Sequence, residues 1–267
     1  MAQASIERKE NRFVQDLLSP SDRLMVGSVR EFVEREFMPV RREIDASARA
    51  DYGLFEDLLR KLLPLQLQGG FLPEEYGGLG LASALTTALV AEEMGRGDAS
   101  LFSSLAGNIL SMRPAVSAGN RAVLERFAPR FLAEDEVYLG CFALTEPSGG
   151  SDVENLDMMG TGIKTRASME GGRWAVNGAK AWLANAGLAG VYCVACTTDP
   201  AAGEEGTALI YVEAPAEGLR FLGHEAKGSL RAARQGNVEL ADVRVPAEWR
   251  ASGPGRDAEL LRENLAF

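Results

Sequence analysis

The first half of the chain carries apolar residues at a helical spacing. Over residues 22–44 they recur every three or four positions, which is the period of a helix that buries one face. We expect Ser21 to cap this helix, and Pro39 predicts an end or a kink near Met38. Further amphipathic helices are predicted over residues 52–63, 81–94, 99–112 and 117–131, the last interrupted near Pro129.

The pattern changes after Tyr138. From there on, short apolar and β-branched runs alternate with turn residues, which is typical of strands. Asn177-Gly178 separates two of these runs and is a strong signal of a type I′ hairpin turn. The predicted strands are residues 137–144, 173–176, 179–183, 191–197, 208–213, 219–221 and 237–245.

The separation of helical and strand patterns predicts an α+β fold, with an all-helical N-terminal domain followed by a β-barrel-like or sandwich-like middle domain. We place the helical domain at residues 1–135 and the β domain at residues 136–250. Residues 251–267 are then a linker and the start of a further helix. The sequence lacks the glycine fingerprint and the alternating β and α segments of a Rossmann fold.

Composition narrows the class of protein. The 267 residues are 46% hydrophobic and 25% charged, which is ordinary for a globular protein. The net charge of −10 argues against binding to nucleic acids or to anionic membranes. No apolar run reaches the roughly 20 residues of a membrane helix, and the polar start does not resemble a secretory signal, so we expect a cytoplasmic location.

Three cysteines and one histidine are the remaining candidates for metal or redox chemistry. Cys193 and Cys196 lie three apart in a predicted strand, so their thiols should face opposite sides and cannot share a ligand. With Cys141 they are expected to be buried thiols in a reducing compartment. His224 has no visible nucleophile or metal partner in the sequence, and we expect a surface or packing role for it.

The most informative segment is L-G-C-F-A-L-T-E-P-S-G-G-S-D, residues 139–152. An apolar run ends there at Thr145, and Pro147 biases Glu146 toward an extended backbone. Gly149 and Gly150 follow, and glycine lets a backbone approach a ligand closely. The segment therefore predicts a buried strand that leads into an exposed ligand-binding loop.

Residues 145–152 resemble the T-E-P-x-x-G-S-D signature of the acyl-CoA dehydrogenases, flavoenzymes that desaturate acyl-CoA thioesters. Three other segments are similar to motifs of the same family: F-L-P-E-E-Y-G-G-L-G at 71–80, V-N-G-A-K-A-W at 176–182 and A-D-V-R-V-P at 241–246. On these four ordered motifs the chain is identified as a member of that family.

The resemblance implies FAD as the cofactor and an acyl-CoA as the substrate. The reaction would be α,β-desaturation, in which the β-hydrogen leaves as hydride to flavin N5. Substrate contacts are implied for Ser151 and Arg231. The implied cofactor-binding residues are Phe142, Leu144, Thr145, Gly150, Ser151, Trp182 and Ala184. Burial of Trp182 in a core and turn capping by Thr145 and Ser151 are the structural alternatives.

Two positions depart from the family pattern. Ala184 stands where the family usually has a serine or threonine that bonds the flavin, and one such bond is worth about 1 kcal/mol. Arg234 and Gln235 replace the Asp-Thr pair that follows the position of Arg231 in the family. Lys227, with Arg231 and Arg234, either meets a CoA phosphate or forms a solvated basic loop.

The family's catalytic base is a glutamate that most members carry in a C-terminal helical domain, and the chain stops within the first turns of that domain. We therefore assign no catalytic residue and expect a related partner subunit to supply the base. The resemblance also implies a homo- or hetero-oligomer and an electron-transfer flavoprotein as electron acceptor. The alternatives are a non-catalytic partner-binding subunit, a truncated fragment, and a monooxygenase or oxidase of the same architecture.

Overall fold

The computed structural model describes residues 17–47, 52–80, 83–150 and 162–266. Helices come first along the chain, a curled sheet follows, and one further helix packs beside the sheet. This confirms the predicted α+β class. The helices are α1 (Pro20–Phe32, continued by a π-helical turn Val33–Phe37), α2 (Arg41–Ser47), α3 (Gly53–Leu62), α4 (Ala84–Ala118), α5 (Arg121–Phe131) and α6 (Arg256–Leu265).

The first helix begins two residues earlier than predicted. Ser19, not Ser21, is the N-cap: its hydroxyl accepts a hydrogen bond from the Asp22 amide at 3.1 Å, and its own amide donates to the Asp22 carboxylate. Pro20 follows the cap because the first helical position needs no amide donor. The predicted end near Met38 is confirmed, since the π-helical turn stops at Phe37.

The long helix α4 contains the break that was predicted between two separate helices. Asp98 has a non-helical backbone (φ −159°), and its carboxylate accepts a hydrogen bond from the Ser100 amide at 2.7 Å. The part after Asp98 extends beyond the predicted end at Met112, and Gly119 terminates it with a left-handed φ of 63°.

Helix α5 differs from its prediction in where it begins and in the effect of Pro129. It begins at Arg121 rather than at residue 117, because the side chain of Asn120 caps it by accepting the Val123 amide at 3.0 Å. Pro129 lies inside the helix and does not interrupt it, since α5 continues to Phe131.

Seven strands in the described part of the chain form one mixed sheet. Its order is β1-β4-β2-β3-β7-β6, and β5 pairs with β4 away from this path. β4 runs parallel to β1 and β2, and the other pairs are antiparallel. The strands are β1 (Gly140–Ala143), β2 (Arg166–Glu170), β3 (Arg173–Ala184), β4 (Val191–Thr197), β5 (Thr207–Glu213), β6 (Leu219–His224) and β7 (Gln235–Pro246).

The predicted hairpin at Asn177-Gly178 is wrong, because β3 runs through both residues as one strand. The turn lies at Gly171-Gly172, which have φ values of 58° and 77° and join β2, a strand that was not predicted, to β3. At Asn177-Gly178 the register with β7 shifts by a bulge. Glycine is needed there, since a Cβ on Gly178 would lie 2.7 Å from the Thr165 Cα.

Both faces of the sheet are packed. Cys193 belongs to the cluster between the sheet and the helices, whereas Cys196 belongs to the cluster inside the curl. All three thiols are free and buried, as predicted.

Tyr211 connects β5 to α4, because its hydroxyl donates to the Ser111 carbonyl and accepts from the Ala115 amide. Among the described residues, we find no helix that combines the length and the hydropathy of a membrane span.

Candidate functional site

An open cavity of about 660 Å³ lies where the chain leaves β1. We call residues 145–150 the cavity loop. Within it, Glu146 and Gly149 pair through their main chains, and a Cβ on Gly150 would lie 3.1 Å from the Thr145 methyl group. The loop is therefore folded tightly upon itself. The lining consists of Leu144, the cavity loop, Trp182 and Leu265.

A buried ion pair supports the cavity loop from beneath. The Lys180 ammonium has no exposed side-chain surface, and it donates to the Glu146 carboxylate at 2.9 Å and to the Leu144 carbonyl at 2.8 Å. The same carboxylate accepts the backbone amides of Lys164 at 2.7 Å and Thr165 at 2.8 Å. These bonds fix the backbone on both sides of Thr145.

The ion pair also sets the protonation state of Glu146. Burial alone would raise the pKa of this carboxyl, but the Lys180 charge and the hydrogen bonds from Thr165 and Lys180 hold it below its ordinary value. Burial lowers the pKa of Lys180, and the Glu146 charge opposes that shift. Glu146 is thus an ionised, fully engaged carboxylate, and this indicates a structural role rather than proton transfer.

Trp182 borders the cavity on an irregular part of β3. Its side chain is 58% exposed, although tryptophan is usually largely buried. Its backbone is left-handed (φ 54°), and the strand shifts register between Lys180 and Leu183. The Trp182 amide donates to the Asn237 side chain at 2.9 Å, which secures this conformation. An exposed indole held on a strained backbone is typical of a binding site, not of a core.

The structure brings together only part of the predicted cofactor site. Leu144, Thr145, Gly150 and Trp182 line the one cavity. Phe142, half-buried in β1, and Ala184, paired with Gln235 of β7, are not among its lining residues. Ser151 lies outside the described residues.

Arg231 lies in a different place from the cavity loop. Its guanidinium makes two hydrogen bonds to the Asp45 carboxylate, one of them from Nε at 2.8 Å, and thereby joins the β6–β7 connection to helix α2. It lines a second, smaller cavity together with His224, Lys227 and Arg234. Whether Arg231 contacts a substrate stays a prediction.

The residues that hold the site in place were not predicted from the sequence. Glu146 and Lys180 are 34 residues apart, so no local pattern indicates their pairing. Asn185 was also missed: its side chain donates to the Ser104 carbonyl at 2.8 Å and to the Gly140 carbonyl at 2.9 Å, and so connects α4 with β1. The one available signal concerned Lys180, which lies inside an otherwise apolar strand pattern. A buried lysine needs a buried partner.

Comparisons with known proteins agree with this architecture. The family model described as acyl-CoA dehydrogenase, N-terminal domain, matches residues 19–135, and the model described as acyl-CoA dehydrogenase, middle domain, matches residues 141–243. A cyclohex-1-ene-1-carbonyl-CoA dehydrogenase of Geobacter metallireducens is 32% identical over 250 residues. The match covers 93% of this chain and 62% of that protein.

Two solved structures extend the comparison. Butyryl-CoA dehydrogenase from Megasphaera elsdenii has a TM-score of 0.81 at 26% identity, over 93% of this chain and 62% of that one. An acyl-CoA dehydrogenase from Bacillus anthracis, solved in complex with FAD, has a TM-score of 0.80 at 25% identity, over 94% of this chain and 40% of that one. The chain thus spans less than two thirds of the length of these proteins.

Proposed function

Because the chain belongs to the acyl-CoA dehydrogenase family, we propose that it binds FAD in the cavity between the cavity loop and Trp182. It would form the N-terminal and middle domains, divided near residues 135–136, of an oxidoreductase that desaturates an acyl-CoA thioester. The observation that carries the proposal is the exposed, conformationally strained Trp182 beside a loop that a buried ion pair holds in place.

The residues present fit a flavin. The cavity of about 660 Å³ is within the range of small-molecule and cofactor sites. Trp182 offers an apolar ring surface against which a planar heterocycle can pack. The Thr145 hydroxyl and the backbone of the cavity loop offer polar groups for the edge of such a ring. FAD is also the cofactor in the Bacillus anthracis structure.

The chain's own residues would act by pre-organising the site. Lys180 and Glu146 hold the cavity loop in position before any ligand arrives, which lowers the entropy cost of binding. Trp182 would shield one side of the ring system from water. Ala184 offers no hydroxyl, so this part of the chain would make fewer polar contacts to the cofactor. When bound, FAD would supply the acceptor for the hydride that leaves the β-carbon of the acyl group.

The acceptor for the α-proton would come from elsewhere. Glu146 is the one carboxylate among the described lining residues of the cavity, and it is already bonded to Lys180 and to two backbone amides. We therefore propose that a related subunit, in a homo- or hetero-oligomer, supplies the base. An electron-transfer flavoprotein would then be the electron acceptor.

A second candidate function is that of a subunit without catalytic activity of its own. The full engagement of Glu146 and the missing hydroxyl at Ala184 favour it. Such a subunit would bind FAD or an acyl-CoA without turnover. Bleaching of the flavin absorbance by an acyl-CoA in the presence of the partner subunit, but not in its absence, would favour the first candidate.

Uptake of FAD by the purified chain tests the proposal. The chain is mixed with excess FAD, passed through gel filtration, and its flavin absorbance is measured. We expect retained flavin in the wild-type chain and less in Gly150→Ala, since the added methyl group lies 3.1 Å from the Thr145 methyl and displaces it. Gly253→Ala is the matched control, because a Cβ there has open space. A colourless wild-type chain would contradict the proposal.

A further inference from the structure

The irregular part of β3 leaves two backbone amides outside the ladder with β7. The register shifts between Lys180 and Leu183, so the residues between them, Ala181 and Trp182, have no partner residue on β7. Amides that a bulge releases need other acceptors. The Ala181 amide donates to the Thr145 carbonyl of the cavity loop at 2.9 Å. The Trp182 amide instead takes its acceptor from a side chain.

Asn237 of β7 supplies that acceptor. Its Oδ1 accepts the Trp182 amide at 2.9 Å, and its Nδ2 donates to the Glu225 carboxylate at 2.6 Å. A carboxamide that turns by half a turn about its last bond exchanges its oxygen with its nitrogen. A carboxylate only accepts hydrogen bonds, so Glu225 keeps the nitrogen of Asn237 on its own side and the oxygen toward Trp182.

Glu225 lies outside the cavity beside Trp182. Its half-buried side chain lines the second cavity, and its amide donates to the Gln235 carbonyl at 2.8 Å. Neither Glu225 nor Asn237 is among the lining residues of the cavity beside Trp182. The hydrogen bonds from Glu225 through Asn237 to Trp182 therefore run across the sheet from one cavity to the other.

The backbone of Trp182 needs such support. A bulky residue with a left-handed φ of 54° is strained, and a strained conformation persists only where its surroundings hold it. The indole is 58% exposed, so packing of the ring supplies only part of that support. The bond from the Trp182 amide to Asn237 therefore fixes the direction in which the indole leaves the strand.

We propose that Glu225 is a positioning residue for the cavity beside Trp182. It orients the Asn237 side chain, which holds the Trp182 backbone, and it thereby sets the direction of the indole that borders the cavity. What Glu225 needs for this is an acceptor, not a charge. The effect on Trp182 is independent of any ligand, and only its consequence for FAD rests on the proposed function.

Fluorine NMR of the full chain, with 5-fluorotryptophan in place of tryptophan, tests the first step. The chain has three tryptophans, and Trp182→Phe assigns the signal of Trp182. In Glu225→Ala we expect the Trp182 signal to shift or broaden. The signals of Trp174 and Trp249, which belong to or pack against the cluster inside the curl, should stay in place. A merely structural loss would move all three signals, and that result would overturn the proposal.

Matched variants separate the acceptor from the charge. Glu225→Gln should restore the wild-type signal of Trp182, because its amide oxygen can accept from Asn237. Glu217→Ala, which changes an exposed glutamate in the lining of a different cavity, should have no effect. In an Asn237→Ala background, Glu225→Ala should change the Trp182 signal no further, since it acts through Asn237. If Glu225→Ala fails to fold by circular dichroism, Asn237→Ala carries the same expectation for Trp182.

The affinity for FAD, measured by quenching of tryptophan fluorescence in the unlabelled chain, tests the consequence. Glu225→Ala should weaken binding by about fivefold, the effect of one orienting hydrogen bond, and Glu225→Gln should bind as the wild type does. An unchanged Trp182 signal in Glu225→Ala, or equal FAD affinity in this variant and the wild type, would overturn the proposal. A wild-type chain that binds no FAD would contradict the proposed function, while the fluorine spectra still decide whether Glu225 positions Trp182.

Discussion

The buried ion pair of Lys180 with Glu146 and the second cavity, at Arg234, use charge in opposite ways. In the first, both side chains are almost fully buried and bonded to each other and to the backbone. In the second, a cation borders an open cavity and keeps a buried donor without a partner in the described structure. A satisfied charge fixes the backbone, whereas an unsatisfied charge is available to a ligand.

The difference has a physical origin in solvation. A fully buried ion loses its water, so it must gain compensating bonds within the fold or destabilise it. A cation at a cavity keeps part of its hydration and can exchange that water for an anion. The ion pair should therefore matter much more for stability than Arg234 at the second cavity does.

Replacement of Lys180 should have the largest effect. Lys180→Ala leaves the Glu146 carboxylate buried without its ammonium partner, and such a change typically costs about 3–5 kcal/mol. Urea unfolding measures the loss. Lys61→Ala is the control, because Lys61 pairs with Glu36 at the surface and should cost less than about 1 kcal/mol. Equal losses of unfolding free energy in the two variants would mean that the buried ion pair stabilises the fold no more than a surface ion pair does.

Asn185 connects the backbone of Arg234 with α4 and β1, and its replacement should have the next largest effect. Its backbone amide bonds Arg234, while its side chain serves the carbonyls of Ser104 and Gly140. Asn185→Ala leaves two buried carbonyls without these donors, at a cost of about 2–3 kcal/mol in unfolding free energy. The exposed Asn177, which accepts a single bond, is the control. A loss no greater in Asn185→Ala than in Asn177→Ala would contradict this account.

The contribution of the ion pair to stability should depend on pH. The pKa of Glu146 is lowered in the folded chain from its ordinary 4.5, so its contribution to stability is fully present above that value. It is lost as the pH falls through the folded pKa, where the carboxylate becomes protonated. The stability difference between the wild type and Glu146→Gln, measured by urea unfolding, should therefore shrink below pH 4.5. A difference that grows on acidification would contradict the sign.

Arg234 should have the smallest effect on stability. Arg234→Gln removes a guanidinium whose described side-chain contact is the Tyr52 ring, and we expect a change below about 1 kcal/mol. Thermal unfolding without added anion measures it. A loss as large as that of Lys180→Ala would mean that Arg234 belongs to the structural core.

Features set by neighbouring residues were predictable from the sequence. Helix α6 and strand β4 follow from local periodicity and were found close to the predicted limits. The opposite faces of Cys193 and Cys196 follow from strand geometry alone. The misplaced hairpin shows the limit, because Asn177-Gly178 has the composition of a turn but lies in a bulge fixed by contact with Thr165.

Contacts between distant residues could not be predicted from local pattern. Arg231 meets Asp45 across 186 positions, and Glu146 meets Lys180 across 34. Such pairs depend on how the sheet curls against the helices, and no spacing rule encodes that. The motif resemblance located the cavity loop, but the support beneath it became visible only in the structure.

Hydrogen exchange of the chain with and without FAD tests whether the flavin binds in the cavity beside Trp182, because it shows where a ligand protects the backbone. We expect slower exchange in residues 144–150 and around Trp182 when FAD is added, and no change at the exposed Gly171-Gly172 turn, which lies outside the cavity lining. Unchanged exchange in the cavity loop at saturating FAD, or protection confined to another part of the chain, would contradict the assignment of this cavity to the flavin.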